Sequence, residues 1–302
     1  MHSQDSVSEY FVRSDSVTLL QGKDSTNVID RVVSTKIHDN PNSDSIEVLF
    51  CDYNGRVTDL GSIYMIQGKL LLLSSKEMGE NTRKTLVDGK SWDEDCEVII
   101  ADEAIVRVSL ISIDTHLVLS KIGLDEKDVE TSRIIEIDDK IVVKSSYPRG
   151  SVLDILLPRD QIDSLTSILD QLSYAEMNED RWEYLRMGLC VPSLTDIAGR
   201  LPSECGMDTQ ISSEKGCYPG QEVHARLESR GRTVKRMCLI SGESPITVGK
   251  HRSSNGSAVL VSSSISSPSE SLAVAILRLD DIESGIVNIE GSDYTVDIVT
   301  YL

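Results

Sequence analysis

Residues 215–231 read KGCYPGQEVHARLESRG and combine a tight turn, a short helix and a cysteine. Pro219-Gly220 is either the centre of a type II turn or the start of a helix, since proline suits both places. Residues 221–230 predict about two to three helical turns, and Gly231 is a suitable terminator for them. The segment therefore predicts a turn that leads into a short, polar helix.

A single thiol, Cys217, lies beside the turn, with Lys215, Arg226 and Arg230 nearby in the sequence. A thiol at a helix N-terminus and close to cations tends to have a lowered pKa and more thiolate character. Alternatively, the cysteine is a small buried apolar residue next to an ordinary Pro-Gly turn. A thiol-reactivity titration distinguishes the two interpretations.

The octapeptide at 215–222 resembles the K-G-C-Y-x-G-Q-E signature of the YgfZ-type folate-binding proteins. These are relatives of the glycine-cleavage T protein that act in iron–sulfur cluster assembly or repair. Five further segments resemble that superfamily: residues 19–24, DYNGRVTD at 52–59, residues 186–192, LPSECGM at 201–207, and residues 256–277. The resemblance implies a GcvT-like α+β fold, a ring of α+β subdomains around a central folate-sized cleft, with a C-terminal β-barrel.

The residue pattern itself also favours α+β layers over one doubly wound parallel sheet. The predicted strands before residue 150 lie near these residues: 17–20, 46–50, 61–66, 70–73, 97–100, 106–113, 134 and 141–143. Asn54-Gly55 is a two-residue hairpin signal between the second and third of them. Four helices are predicted in this part of the chain. One begins after Asp24 or Ser25 and has Val28, Ile29, Val32 and Val33 on one face, and another begins after Pro158 and has Ile162, Leu165, Leu169 and Leu172 on one face. The other two span residues 76–87 and 179–187.

The composition changes after Arg236, where short β-rich runs alternate with turns that contain serine, glycine and proline. The strands predicted there are 258–261, 272–277 and 294–298, and the serine-rich residues 264–271 are expected to form an exposed loop. We therefore expect two domains, a folate-binding domain of residues 1–235 and a small β-barrel of residues 236–302.

The net charge of −19, from 49 acidic and 30 basic residues, argues against binding to a phosphate backbone. Only two Phe and two Trp are present, so stacking platforms for single strands are also scarce. No apolar run approaches the roughly 20 residues that cross a bilayer. The first five residues lack a basic region followed by an apolar one, which predicts no secretory signal and a cytoplasmic location.

The six cysteines contain no Cys-x-x-Cys pair, and the five histidines do not cluster with them. This spacing does not predict a zinc site or a protein-held iron–sulfur cluster. We expect a protein that serves iron–sulfur proteins without carrying a cluster itself.

The resemblance also implies positions that contact folate. In the aminomethyltransferases of the superfamily the hairpin carries acids that approach the reactive nitrogen of tetrahydrofolate. Here Asp59 is retained but Thr58 precedes it, so the acid pair is incomplete, and Asp59 is alternatively a solvated turn acid. Gly188 stands where a pterin-contacting Glu is expected. A neutral residue does not replace the two charge-assisted hydrogen bonds of a carboxylate.

The remaining ligand candidates follow from the same motifs and each has a structural alternative. They are Lys215, Tyr218, Gln221, Glu222, Arg226, Arg230 and, from the L-P-x-E segment, Glu204. Arg226 and Arg230 face one way on the predicted helix and either meet an anionic folate tail or balance Glu222 and Glu228. Glu204 either contacts the ligand or caps a turn.

The sequence thus predicts a YgfZ-like protein that binds tetrahydrofolate in a central cleft. Cys217 would support the assembly or repair of iron–sulfur proteins, either directly or through their assembly machinery. Such a protein is more an accessory factor than an enzyme. The alternatives are a folate-dependent aminomethyltransferase or demethylase, which needs an acid near Asp59, and a thiol module that has no affinity for pterins.

Overall fold

The computed structural model describes residues 8–37, 44–112, 114–231, 233–267 and 270–300, excluding the side chain of Arg230. The strands are β1 (Glu9–Arg13), β2 (Asp15–Gln21), β3 (Ile46–Cys51), β4 (Val57–Ile66), β5 (Lys69–Ser75), β6 (Glu97–Ile100), β7 (Ile105–Ile111), β8 (Ile135–Ile137), β9 (Lys140–Tyr147), β10 (Gly150–Pro158), β11 (Ala175–Glu176), β12 (Lys235–Gly242), β13 (Gly249–Arg252), β14 (Ala258–Ser266), β15 (Ser271–Arg278), β16 (Ile286–Ile289) and β17 (Ser292–Ile298). The α-helices are α1 (Ser25–Val32), α2 (Gly79–Gly89), α3 (Thr115–Lys121), α4 (Ile162–Gln171), α5 (Glu179–Leu189), α6 (Leu194–Ile197), α7 (Gln221–Arg230) and α8 (Leu279–Ile282).

The first sheet has five antiparallel strands in the order β3-β4-β5-β2-β6. Its apolar face is covered by α1 and α2, which also pack against each other. The predicted stripe of α1 is confirmed, because Val28, Ile29, Val32 and Val33 are all buried in one cluster with Leu86 of α2. The predicted strands and helices of this region are present in the structure, with ends that differ by a few residues.

The connection between β3 and β4 is longer than the predicted two-residue turn. It spans residues 52–56, and its backbone is closed by a hydrogen bond from the Asp52 amide to the Arg56 carbonyl at 2.8 Å. The Asp52 side chain accepts hydrogen bonds from the amides of Asn54 and Arg56 at 2.8 and 2.9 Å. An aspartate that bonds to the backbone two residues ahead stabilises its own turn, so the loop is organised by Asp52 and not by Asn54-Gly55 alone.

The second sheet has six strands in the order β11-β1-β7-β10-β9-β8, and β1 with β11 is its parallel pair. Helices α3 and α4 cover one face of it. The sequence pattern did not predict β1, β10, β11 or α3. In the predicted α4, Leu165 and Leu169 are buried, while Ile162 and Leu172 pack at the edge of the same cluster.

The third sheet is antiparallel, in the order β13-β14-β15-β12-β17-β16, and forms a C-terminal half-barrel. An isolated bridge between Ser253 and Ile289 links its two edges. The β-rich character predicted after Arg236 is confirmed, and the structure shows a half-barrel where a barrel was predicted. The serine-rich segment was predicted wrongly as a loop from 264 to 271, because β14 continues to Ser266 and β15 begins at Ser271.

One hydrophobic cluster joins the half-barrel to the rest of the protein. It contains these buried side chains: Leu49, Cys51, Val57, Met187, Cys190, Ile197, Cys205, Met207, Met237, Leu239, Leu272, Val274, Ile276 and Val299. A second cluster fills the interior of the half-barrel itself. The half-barrel therefore has apolar residues on both faces of its sheet, and one of these faces is buried against cluster residues that lie between Leu49 and Met207.

Candidate functional site

A cavity of about 520 Å³ opens between the first and second sheets and is closed by α5 and residues 191–195. Its walls come from β1, β4, β5 and from single residues of β2, β3, β7 and β9. We call it the central cavity. Its volume lies within the range of small-molecule sites, roughly 300–1,000 Å³.

One wall of the central cavity is aromatic and cationic. Phe11 of β1 stacks on Trp182 of α5 with ring centroids 5.1 Å apart and planes 5° apart. The guanidinium of Arg13 lies over the same indole, 4.7 Å from the ring centroid. Burial and the nearby charge of Arg107 lower the pKa of Arg13. This wall offers flat apolar surface and one cation, which suits an aromatic ligand with an acidic group.

The charge of Arg107 is held by two carboxylates. Its Nε donates to Asp15 at 2.8 Å, and its Nη1 lies 3.8 Å from Asp154. Burial disfavours its charge, but Asp15 and Asp154 outweigh burial, so the pKa of Arg107 is raised well above its ordinary value. This buried network fixes β7 against β2 and β10. The positive charge of Arg13 is less fully balanced by carboxylates than that of Arg107.

The opposite side of the cavity carries acidic and hydroxyl groups. Glu47 of β3 is half-buried and lines the cavity, and burial raises its pKa. The hydroxyl of Ser74 is buried and has no hydrogen-bond partner among the described residues. Because buried polar groups are normally paired, a ligand or water is expected to bond to it.

The chemistry of these groups fits that of a tetrahydrofolate-type ligand. A pterin presents an amino-pyrimidinone edge that pairs with a carboxylate such as Glu47, and the stacked Phe11 and Trp182 offer aromatic surface. A cation such as Arg13 suits the carboxylates of a glutamate tail. Residue spacing did not reveal these positions, because they lie on separate strands that meet only in the folded protein.

Asp59 is buried just behind the wall of the central cavity, does not line it, and is not a solvated turn acid. It is 1% exposed and accepts hydrogen bonds from the amides of Leu60 at 2.8 Å and Ser75 at 3.3 Å, and from the Thr82 hydroxyl. Burial raises its pKa, although these hydrogen bonds oppose the increase. Asp59 therefore ties β4 to β5 and α2.

Lys215 is anchored inside the protein and is not directed at Cys217. Its Nζ donates to the carbonyls of Val33 at 2.8 Å and Thr35 at 2.9 Å, and to that of Asp30, whose carboxylate lies 3.3 Å away. Burial lowers the pKa of Lys215, and Asp30 opposes that effect. The ammonium thus caps the C-terminal end of α1, where free carbonyls favour a cation.

The Pro-Gly turn docks directly on the hairpin loop at residues 52–56. Gly220 has φ of 86° and ψ of −4°, as the third residue of a type II turn requires, so the first of the two predicted alternatives is confirmed. A Cβ at Gly220 would lie 2.6 Å from the Cα of Gly55. His224 donates from Nε2 to the Gly55 carbonyl at 2.8 Å, and its Nδ1 lies 3.3 Å from the Tyr218 hydroxyl.

Cys217 is exposed, whereas the other five cysteines are buried. Burial raises the pKa of the Cys51 and Cys238 thiols to about 12 and that of Cys190 to about 11. Cys190 and Cys205 pack in the hydrophobic cluster that joins the half-barrel to the rest of the protein. Cys217 is therefore the thiol that a partner can reach.

The helix α7 spans 221–230 as predicted and ends before Gly231, whose φ is 65°. On it, Arg226 pairs with Glu222 at 2.5 Å, and both side chains are mostly exposed. The side chain of Arg230 lies outside the described residues. Glu204 accepts a hydrogen bond from the Leu201 amide at 3.3 Å, which matches the predicted turn-capping alternative.

Among the described residues, the predicted ligand positions do not line the central cavity. The positions concerned are Asp59, Glu204, Lys215, Cys217, Tyr218, Gln221, Glu222 and Arg226. Gly188 lies in α5 one turn after Glu183 and Tyr184, and a Cβ there would have open space. Within the described ranges no group of three or more His, Cys, Asp or Glu residues is placed to hold a metal ion. No described helix is long and apolar enough to cross a bilayer.

No protein-family model matches the chain. The chain is similar to the tRNA-modifying protein YgfZ of Vibrio atlanticus (strain LGP32), at 22% identity over 243 residues, which cover 74% of this chain and 66% of that protein. The match thus spans slightly less than two thirds of the relative's length. Glycine cleavage system aminomethyltransferase T from Bartonella henselae has a similar crystal structure, with a TM-score of 0.83 and 15% identity over 98% of this chain and 86% of that chain. The predicted GcvT-like α+β fold is confirmed.

Proposed function

From its place in the GcvT/YgfZ superfamily, as a distant homologue of YgfZ, we propose that this chain is a tetrahydrofolate-binding accessory protein. It would support iron–sulfur cluster assembly or repair through Cys217. The observation that carries the folate part is the central cavity, where Arg13, Glu47, Trp182 and the unpartnered Ser74 hydroxyl converge. A cytoplasmic location is part of the same proposal.

Calorimetric titration with tetrahydrofolate under anaerobic conditions tests the folate part. We expect micromolar or tighter binding to the wild-type protein, and about tenfold weaker binding to Glu47→Gln, because one charge-assisted contact is lost. Cys217→Ser should bind as the wild type does, since Cys217 does not line the cavity. No heat of binding with the wild-type protein would overturn this part.

The thiol part is supported by the exposure of Cys217 in a protein whose other cysteines are buried. In cells that lack this protein, we expect Cys217→Ser to fail to restore the activity of an iron–sulfur dehydratase. Ser213→Ala, an exposed change four residues upstream, should restore it fully. Full restoration by Cys217→Ser would contradict a role for the thiol.

An aminomethyltransferase activity is less well supported, because the hydrogen bonds of Asp59 are used within the protein. The name of the Vibrio relative suggests a role in tRNA modification. With a net charge of −19, we propose that any such role passes through iron–sulfur enzymes and involves no direct contact with tRNA. Turnover with an amine donor, or tRNA binding at physiological salt, would decide against this interpretation.

A further inference from the structure

A second, smaller cavity of about 280 Å³ lies between the hairpin loop, residues 199–204 and the half-barrel. It shares no lining residue with the central cavity. Four cationic side chains from three separate segments line it: Arg56, Arg200, Lys235 and Lys250. We call it the cationic cavity.

The four cations lack acidic partners. Among the described residues, none of them has a carboxylate oxygen within 4.0 Å. Arg56 donates one bond to the Gly199 carbonyl at 2.7 Å, and Arg200 donates from Nε to the Asp196 carbonyl at 2.7 Å. Both guanidiniums therefore keep further donors for a ligand.

The cationic cavity concentrates positive charge in a chain whose net charge is negative. The chain has 49 acidic and 30 basic residues, yet four of the ten residues that line this cavity are cationic. Glu204 is the one acid among the described lining residues, and it accepts a hydrogen bond from the Leu201 amide. A bound anion would bring negative charge close to four cations that have no acidic partner of their own among the described residues.

The floor of the cationic cavity is apolar. It is formed by half-barrel residues that include Leu260 of β14 and Ile276 of β15. A purely inorganic anion would leave this floor uncovered, whereas an organic anion can cover it with carbon atoms. The volume is too small for a folded partner and suits a compact molecule.

We propose that the cationic cavity binds a small organic polyanion that carries phosphate or several carboxylate groups. Arg56 and Arg200 present the donors that phosphate and carboxylate oxygens accept, and Lys235 and Lys250 supply point charges. The cationic cavity is separate from the central cavity, and this proposal does not depend on folate binding.

The test uses pyrophosphate and citrate as probes in metal-free buffer of low ionic strength, by calorimetry. The variant is Lys235→Gln with Lys250→Gln, because neither side chain has an ion pair in the described part of the protein. Its control is Lys69→Gln with Lys84→Gln, two exposed lysines that do not line this cavity. Both variants change the net charge equally. The comparison therefore distinguishes binding in the cationic cavity from a general effect of net charge on anion binding.

We expect at least one probe to bind the wild-type protein with a dissociation constant below the millimolar range. The cavity variant should bind about tenfold more weakly or worse, and the control within about twofold of wild type. Preference for pyrophosphate would assign a phosphate ligand, and preference for citrate a polycarboxylate. Failure of both probes to bind, or equal weakening by the control, would overturn the proposal. Unchanged tetrahydrofolate binding by the cavity variant would confirm that the two sites are separate.

Discussion

At the scale of single residues, His224 links the cysteine-bearing segment to the hairpin loop. The residue is 7% exposed, and its ring lies between the Gly55 carbonyl and the Tyr218 hydroxyl. Burial lowers the pKa of His224, and the hydrogen bond to Gly55 opposes that effect. Burial thus outweighs the hydrogen bond, and the neutral ring is favoured in the folded protein.

This pKa shift predicts a pH-dependent stability. The unfolded chain takes up a proton near the ordinary histidine pKa of 6.5, while the folded protein does so only at lower pH. The contribution of neutral His224 is therefore fully present above pH 6.5 and lost as the pH falls through the folded-state pKa, by at most about 1.4 kcal/mol per pH unit. In urea unfolding between pH 7.5 and 5.5, the profile of His224→Gln should be flatter than that of the wild type. The exposed His116→Gln is its control, and parallel profiles for wild type and His224→Gln would contradict the prediction.

Lys215 shows what a local motif cannot reveal. The sequence places it two residues from Cys217, which suggested that its charge acts on the thiol. In the structure its ammonium binds backbone carbonyls of residues 30–35, which are about 180 positions away in the chain. No periodicity or spacing encodes that contact, because it depends on how the 215–222 segment packs against α1.

At the scale of elements, the type II turn and the hairpin loop fit each other through two glycines. Gly220→Ala would place a Cβ at 2.6 Å from the Gly55 Cα and 2.7 Å from the Asp52 carbonyl, at a φ of 86°. Gly216, in the same octapeptide, has no atom within 4 Å of such a Cβ. The two substitutions therefore form a matched pair.

We expect Gly220→Ala to lower the free energy of unfolding by about 2–4 kcal/mol, from backbone strain together with overpacking. Gly216→Ala should change it by less than about 0.5 kcal/mol. Chemical denaturation of both variants measures the difference. Equal stability of the two would show that the hairpin loop moves away without cost.

Elements with a strong local pattern were predicted well, and those defined by long-range pairing were not. The stripe of α1 and the Pro-Gly turn follow from spacing and turn chemistry. β1 and β10 carry no such signal beyond short apolar runs, and their partners are distant in the chain: β1 pairs with β7 and with β11. The residues that line the central cavity were missed for the same reason, since Arg13, Glu47 and Trp182 come from three elements that only tertiary structure joins.

At the scale of the whole molecule, the cluster between the half-barrel and the preceding chain bears on the expected boundary at 235/236. Six of its fourteen buried residues come from the half-barrel: Met237, Leu239, Leu272, Val274, Ile276 and Val299. The Asp196 carboxylate adds a polar link, because it accepts hydrogen bonds from Arg186 at 2.8 Å and from Ser262 and Ser263 of β14 at 2.6 and 2.7 Å. The two parts therefore share a core and a buried polar network.

This shared core predicts that residues 1–235 do not fold stably alone. Without the half-barrel, five large apolar side chains of the cluster lose burial: Leu49, Val57, Met187, Ile197 and Met207. Full burial of one such side chain contributes roughly 1.5–3 kcal/mol, so the fragment loses at most about 7.5–15 kcal/mol. That is comparable with the whole stability of a typical protein, about 5–15 kcal/mol. The full chain should unfold in one calorimetric transition, and the 1–235 fragment should lack a cooperative transition and near-UV circular dichroism. A fragment that unfolds cooperatively would instead establish the boundary at 235/236 as one between independent domains, and the half-barrel would then be an appendage that the central cavity does not require.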